Sequence, residues 1–497
     1  MKKMFGLVSN EYIKMLKKKS TLIVLALFLL FAMSFPVLNR YVFTSNQGNT
    51  LGYQERELRY AQQELESIKE QLQNGGTDWD KAQLISTQVH IEALKLSIEH
   101  KISWHDWRDQ LISQYEQERL TVEAIKLFEQ GVPADVLRDH LSVSLNTASS
   151  QLLEKQLDQA KEQADAVYKM AVNNDHAAYT RLQLAQTKEG LASAEEQLVD
   201  AKAALAEKPE DEELKAAVKE AEVNVERMQY SVKHLQYRLE NDVTYENDDW
   251  RNNMLNSADG YLYQMLEEPV GKDAFQNLQK SGQYPKSMTY EEYVREVEAS
   301  AKKASEEYQT TIYGLEHGIP TPEAANSSRA SSQSIWNLMT FITLIGAIFA
   351  GGLISREYSS GTIRLLLIRP VARWKILLSK YIAAITVPLF LTLASLLAML
   401  LSSGFVYGFG DLALPLLKVV GGQVVEANFF LNLLGTTLVS FISVILMATA
   451  AFMLSVVTKN TAVAVGLSVF ATTFAPLRPC CWHSSNRNGS STPRPLI

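Results

Sequence analysis

The chain has 497 residues, 46% of them hydrophobic and 21% charged, with a formal net charge of -7. Residues 1–43 carry seven Lys+Arg and one acid, residues 44–334 sum to -21, and residues 335–497 carry eleven Lys+Arg and three acids. An acidic polar block of this size repels phosphates, which excludes a nucleic-acid binder, and the uneven charge also argues against a soluble enzyme. The only two cysteines, Cys480 and Cys481, are adjacent, which excludes a disulfide-bonded outer domain and a cysteine metal site in the main body.

The first apolar segment, residues 21–38, contains no charge and follows four lysines within residues 14–19. About 20 apolar residues cross a bilayer, and lysines accumulate on its cytoplasmic side. The pattern predicts a cytoplasmic N-terminus over residues 1–20 and a first transmembrane helix over residues 21–43. A cleaved signal peptide is the alternative, although this apolar region is longer than those of most signal peptides. Under both interpretations, the segment that follows lies outside the cytoplasm.

Four further uncharged stretches follow, at residues 330–355, 381–405, 429–457 and 461–477. They predict four more transmembrane helices within residues 335–477, which makes five visible spans. The loop at residues 355–380 carries six basic residues against the single acid Glu357, as expected for a cytoplasmic loop. We therefore expect residues 44–334 to be extracytoplasmic in a multi-pass protein of the cell membrane.

The tail at residues 478–497 differs abruptly from the Val/Ala/Leu-rich sequence before it. Arginine, proline, cysteine and tryptophan arrive together there. This change indicates a shifted reading frame or a truncated gene product, with a natural tail as the alternative. In the first case a sixth span is missing, and the adjacent cysteines carry no function.

The segment at residues 44–334 is predicted to be helical throughout most of its length. Apolar residues recur every three or four positions over residues 184–205 and again over residues 214–239, on either side of a break at Lys208 and Pro209. This spacing predicts an antiparallel, coiled-coil-like hairpin, and weaker periodicity over residues 58–98 predicts a second one. The fold class is therefore all-α, a polytopic helical membrane protein with a large helical extracytoplasmic domain. Residues 250–285, with their scattered Gly and Pro, are expected to be irregular.

Motifs for catalysis are lacking in this sequence. The eight histidines show no metal-ligand spacing, and the chain has no Gly-x-x-x-x-Gly-Lys-Ser/Thr phosphate loop. We therefore expect no enzymatic activity, no metal and no directly bound cofactor. Gly421, Gly422 and Gln423 match a fragment of an ATPase signature, which we interpret as chance.

The loop at residues 355–380 contains a specific succession of residue types in addition to its basic charge. Gly361 permits a tight turn, Thr362 can cap a short helix, and residues 363–368 form an apolar ledge that Pro370 ends. An ordinary basic loop beside anionic lipid would explain the charges. It would not explain an acid and a Gly-Thr pair placed before an apolar ledge.

The loop contains, in order, an acid after a span, Ser-Gly-Thr, a Leu-rich turn, Arg-Pro-x-x-Arg, and Ser-Lys entering the next span. In this order it resembles the membrane subunits of the type-2 ABC exporters. The resemblance implies six spans and an interfacial helix that couples to a separate ATP-binding-cassette ATPase subunit, which holds ATP and Mg. It also implies a second permease chain, as homo- or heterodimer, in contact with membrane lipid, while the acidic polar block argues against a nucleic-acid partner. The coupling residues that it implies are Glu357, Gly361, Thr362, Arg364, Arg369, Pro370, Arg373 and Lys380.

The resemblance implies a permease subunit that couples ATP hydrolysis on its partner to efflux of a peptide, lipid-like or drug-like substrate. The alternative is a membrane-anchored helical scaffold or receptor for a surface partner or an envelope-active peptide, without transport. The interfacial loop favours the transporter, whereas the long helical hairpin favours the scaffold.

Overall fold

A computed structural model describes residues 2–47, 50–104, 106–324, 327–359, 361, 372–458, 463 and 466. Two units are distinguished, the first comprising residues 1–40, 326–416 and 426–497 and the second residues 41–325 and 417–425. Helices of the first unit are α1 (Lys2–Leu16), α2 (Lys19–Gln47), α13 (Ser328–Gln333), α14 (Ile335–Ser359), α15 (Arg373–Tyr407) and α16 (Phe429–Thr458). Helices of the second unit are α3 (Thr50–Gln73), α4 (Asp78–Glu99), α5 (Arg108–Glu129), α6 (Ala134–Leu141), α7 (Ser150–Asn173), α8 (His176–Glu207), α9 (Glu212–Glu240), α10 (Trp250–Met265), α11 (Lys272–Lys280) and α12 (Tyr290–His317).

The first unit contains four helices that are long and apolar enough to cross a membrane, within the described residues. They are Lys19–Tyr41, Ser328–Tyr358, Arg373–Tyr407 and Phe429–Thr458. The fold class is thus confirmed as all-α and polytopic, and these helices lie at four of the five predicted spans. The fifth, at residues 461–477, lies outside the described residues except for Val463 and Gly466, and so does the tail at residues 478–497.

Side chains on these four helices divide between an inner and an outer face. One buried cluster joins α2, α14, α15 and α16 around Ile342 and Phe441, and a second joins α14, α15 and α16 through alanines. Gly346 lets α15 approach closely, because a Cβ atom there would lie 3.1 Å from Cγ of Pro388. Large apolar side chains such as Phe390 remain exposed on the spans, as lipid-facing positions require.

The second unit contains the predicted long hairpin as α8 and α9, which pack along each other. The break lies at residues 208–211, where Asp211 accepts hydrogen bonds from the backbone of Glu213 and Leu214 and so starts α9. Ala194 and Val218 are among its buried residues. The weaker periodicity at residues 58–98 corresponds to α3 and α4, which also pack together.

The prediction of irregular structure at residues 250–285 was wrong for most of its length. Helix α10 runs through Gly260, and α11 and α12 follow it. Leu255, Ala258 and Leu262 are buried on one face of α10, and this packing outweighs the low helix propensity of a single glycine.

The segment between α15 and α16 contains two short strands, β1 (Leu416–Val420) and β2 (Gln423–Ala427), paired as a hairpin. Gly421 and Gly422 form its two-residue turn, with φ of 62° and 82°. A turn with positive φ at both central residues matches the twist of a hairpin and favours glycine. The Gly-Gly pair that matched an ATPase fragment thus forms the turn of this hairpin.

Candidate coupling site

Four charged side chains from three helices meet in the first unit. Lys380 of α15 donates to Oε1 of Glu357 on α14 at 2.7 Å and to Oε2 of Glu11 on α1 at 3.1 Å. Lys14 of α1 lies 3.4 Å from Glu11 and 3.3 Å from Glu357. Each lysine thus contacts both carboxylates, so the four side chains form a closed ring of alternating charge, called here the charge ring.

Local helix geometry explains how the charge ring forms. Glu11 and Lys14 are three residues apart and therefore lie on one face of α1. Glu357 lies in the last turn of α14, and Lys380 lies two turns into α15. The two ends of the loop at residues 355–380 are consequently tied to each other and to the N-terminal helix.

The charge ring is largely shielded from solvent. The side chain of Lys380 is 3% exposed and that of Glu11 is 8% exposed, whereas Lys14 is 44% exposed. Burying ions costs solvation free energy, which the ring offsets by matching two positive with two negative charges. Such a network contributes little net stability, yet it fixes the relative position of the helices, because removal of one member leaves a buried charge uncompensated.

Hydrogen bonds between neutral side chains join α15 to α1 and to α16. The hydroxyls of Tyr12 on α1 and Thr386 on α15 are hydrogen-bonded. Tyr381 of α15 bonds Thr449 of α16 at 2.9 Å. Helix α15 is therefore joined by polar side chains to α1, α14 and α16.

The predicted coupling residues divide into three groups. Glu357 and Lys380 are brought into direct contact in the charge ring. Gly361 has φ of 69°, and its N–H donates to the carbonyl oxygen of Tyr358 at 3.2 Å, which makes the predicted tight turn just after α14. Arg373 is the exposed first residue of α15, outside the ring. The remaining four, Thr362, Arg364, Arg369 and Pro370, lie outside the described residues.

Sequence reasoning missed the two members of the charge ring on α1. A usable signal existed, because Glu11 is the single acid among the first 43 residues and Glu357 is the single acid in residues 335–380. A lone carboxylate in a lysine-rich segment indicates a specific partner. That both lone acids share Lys380 became evident only from the packing of α1 against α15.

The chain matches one protein-family model over nearly its whole length. Residues 6–480 match the family model described as ABC-2 family transporter protein. The chain belongs to this family. The family is a membrane transport component, and together with the four apolar helices this makes the chain a multi-pass membrane protein.

A curated relative of this ABC-2 family member is the uncharacterized protein YhcI of Bacillus subtilis (strain 168). The two are 34% identical over 176 residues, which is 33% of this chain and 54% of the relative. The chain therefore spans about half the length of the relative that it matches. No solved structure matches the chain.

Clusters of potential metal ligands are absent from the part of this ABC-2 family member that the structure describes. Within the described ranges, no three His, Cys, Asp or Glu side chains are grouped so that they could hold a metal ion. The charge ring itself pairs each carboxylate with lysine ammonium groups at hydrogen-bond distance. The charge ring therefore links α1, α14 and α15 through ion pairs.

Proposed function

We propose that the chain is the permease subunit of an ATP-binding-cassette exporter and that the loop at residues 355–380 receives the motion of a separate ATPase subunit. The observation that carries this proposal is the charge ring. It clamps both ends of the loop to α1, so a force applied to the loop acts on three helices together. Family membership supports the transport role, and the ring supplies a physical route for the coupling.

The proposed mechanism is a rigid-body movement. ATP binding on the partner displaces the loop, and the ion pairs of Lys380 transmit the displacement to α14 and α1. The alanine-lined contacts of α14 with α15 and α16 then permit sliding, because small side chains leave no interlocking ridges. ATP and Mg are held by the partner in this scheme, and two permease chains line the path.

The proposed topology places the charge ring at the cytoplasmic face. In support, the ring joins α1, the end of α14 and the start of α15, which the arrangement of basic residues assigns to one side of the membrane. Residues 44–334 are then extracytoplasmic. The proposed setting is the cell membrane, with lipid around the spans.

The proposed cargo is an amphipathic peptide, a lipid-like molecule or a drug-like molecule. Among the described residues, the polar groups buried within the spans away from their ends are hydroxyls such as those of Thr392 and Thr437. A path for small ions would require buried charges at that depth. Hydroxyls suit a cargo that carries much of its own apolar surface.

Purification from the native host in mild detergent tests the partner. We expect mass spectrometry to find an ATP-binding-cassette ATPase subunit in stoichiometric amount. Recovery of the chain without any such subunit, both in detergent and after in-membrane crosslinking, would sink the exporter proposal.

The variant Glu357→Gln tests the coupling separately from the docking. It keeps the shape of the side chain and removes one charge from the ring. We expect the ATPase subunit to remain bound while cargo-stimulated ATP hydrolysis falls roughly 5-fold or more, the lower end of typical coupling free energies. Glu70→Gln, an exposed carboxylate on α3, is the matched control. Full stimulation in Glu357→Gln would contradict a coupling role for the ring.

The second candidate is a membrane-anchored scaffold or receptor without transport. It is favoured by the size of the second unit, which extends over ten helices among the described residues. Capture of extracytoplasmic proteins in place of an ATPase subunit in the purification above would support this candidate over the exporter.

A further inference from the structure

A cavity of about 180 Å³ lies within the second unit, between α8, α9 and α10. Tyr179 and Tyr245 form its aromatic wall, and His234, Arg238 and Asp259 supply its ionisable groups. A cavity needs only about 10–15 Å³ of such volume to hold one water, so this one has room for a small organic molecule. Among its lining residues, Asn256 is exposed and the side chain of Asp259 is half exposed, so a small molecule can reach the cavity from solvent.

Arg238 is a buried cation without a carboxylate partner at ion-pair distance among the described residues. Its Nη1 donates to the carbonyl oxygen of Thr244 at 2.7 Å, and its Nη2 donates to Oδ1 of Asn252 at 2.9 Å. The guanidinium carbon lies 3.9 Å from the centre of the Tyr245 ring. Burial lowers the pKa of Arg238 below its usual value and outweighs the opposite effect of the nearby Asp259 and Asp249 carboxylates.

The opposite charge in the cavity belongs to Asp259. Its Oδ1 lies 2.6 Å from Nδ1 of His234, and Nε2 of the same histidine lies 3.0 Å from the hydroxyl of Tyr308. The histidine is thereby held from both sides and its ring is oriented. The side chain of Asp259 is half exposed, so it can also contact a molecule in the cavity.

We propose that this cavity binds a small zwitterion of the size of alanine, with its carboxylate toward Arg238 and its ammonium group toward Asp259. An anion alone would compensate Arg238 but would meet the carboxylate of Asp259 and the -21 charge of residues 44–334. A cation alone would meet the guanidinium. A molecule with both charges satisfies both sides of the cavity, and the two tyrosines contact its apolar part.

The test is isothermal titration calorimetry on the full chain in detergent with L-alanine, acetate and methylammonium as probes. We expect saturable binding of L-alanine, and at least tenfold weaker binding of the two single-charge probes, the factor for one lost charge-assisted hydrogen bond. No saturable binding of L-alanine would overturn the proposal. So would acetate or methylammonium binding as tightly as L-alanine.

Two variants locate the site. Arg238→Met and Asp259→Asn are each expected to weaken L-alanine binding roughly tenfold or more, because each removes one of the two charges. The controls are Arg181→Met and Asp200→Asn, exposed charges on α8 that do not line the cavity. Unchanged affinity in both cavity variants would overturn the assignment.

A third variant tests the cavity even if Arg238→Met does not fold. Asn256→Phe adds a large side chain at a position that lines the cavity but is exposed, so we expect it to obstruct the cavity without entering the core. We expect it to abolish L-alanine binding with an unchanged unfolding temperature. Retained binding in this variant would place the amino acid elsewhere and overturn the proposal.

Discussion

Lys380 in the first unit and Arg238 in the second are both nearly inaccessible to solvent, at 3% and 5% exposure. Lys380 is surrounded by two carboxylates from two other helices. Arg238 is surrounded by a carbonyl oxygen, an amide oxygen and an aromatic ring. A buried cation that is paired with carboxylates can join helices. A buried cation whose hydrogen-bond partners are neutral can instead attract a charged molecule in an adjacent cavity.

The variant Lys380→Met is expected to have the largest effect on this comparison. It leaves Glu11 and Glu357 buried with only the half-exposed Lys14 between them, which costs about 3–5 kcal/mol. The measurement is the unfolding temperature of the purified chain in detergent. We expect a clear fall relative to Lys375→Met, a control outside the charge ring on the same helix.

A double variant identifies the cause of that fall. Glu11→Gln combined with Lys380→Met removes one of the two carboxylates that the single variant leaves uncompensated. We expect it to recover part of the lost stability. A double variant less stable than Lys380→Met alone would show that packing of the lysine stem, not charge balance, dominates at this position.

Arg238→Met is expected to cost less, about 1–3 kcal/mol. It leaves the partly buried carbonyl oxygen of Thr244 and the buried amide oxygen of Asn252 without their donor, but it leaves no buried carboxylate unpaired. The same unfolding measurement, with Arg181→Met as control, checks this value. If Arg238→Met lowered the unfolding temperature as much as Lys380→Met, the proposed difference between a carboxylate-paired and a neutrally paired buried cation would be contradicted.

Gly361→Ala is expected to cost about 1–2 kcal/mol at the turn after α14. A φ of 69° is left-handed, and a residue with a Cβ atom is strained there. Among the described residues, no atom lies within 4 Å of the position that a Cβ would take, so the expected penalty comes from the backbone conformation. Gly361→Asn, which tolerates this conformation better, should lose less, and equal stability of the two variants would contradict the argument.

His90 gives the smallest expected effect, a pH dependence of the second unit. Its hydrogen bond to Glu116 raises its pKa above 6.5, with Glu57 contributing from α3. The charged histidine therefore stabilises the fold fully at pH below its unfolded pKa, and this contribution is lost as pH rises through the raised pKa. We expect the unfolding temperature to fall as the pH rises above about 6.5, the ordinary pKa of histidine, and to fall less in His90→Gln. An identical slope in both proteins would remove His90 as the cause.

Local pattern predicted the helices well and the connections between them less well. The apolar runs predicted four spans at the positions where the structure has them, and the break at Pro209 predicted the turn between α8 and α9. Residues 250–285 were misjudged because their helices depend on contacts with distant residues. Leu255 of α10 packs in one cluster with Leu315 of α12, and no local signal encodes that contact.

The sequence by itself determined the membrane-spanning segments, the charge partition and the presence of Glu357 and Lys380 at the two ends of one loop. Hydropathy, charge and helical period are local properties, and each can be read from neighbouring residues. Only the tertiary structure decided that Glu11 completes the charge ring and that His234, Arg238 and Asp259 share a cavity. Those arrangements depend on which faces of separate helices pack together, and such packing is fixed by side-chain shape over long sequence separations.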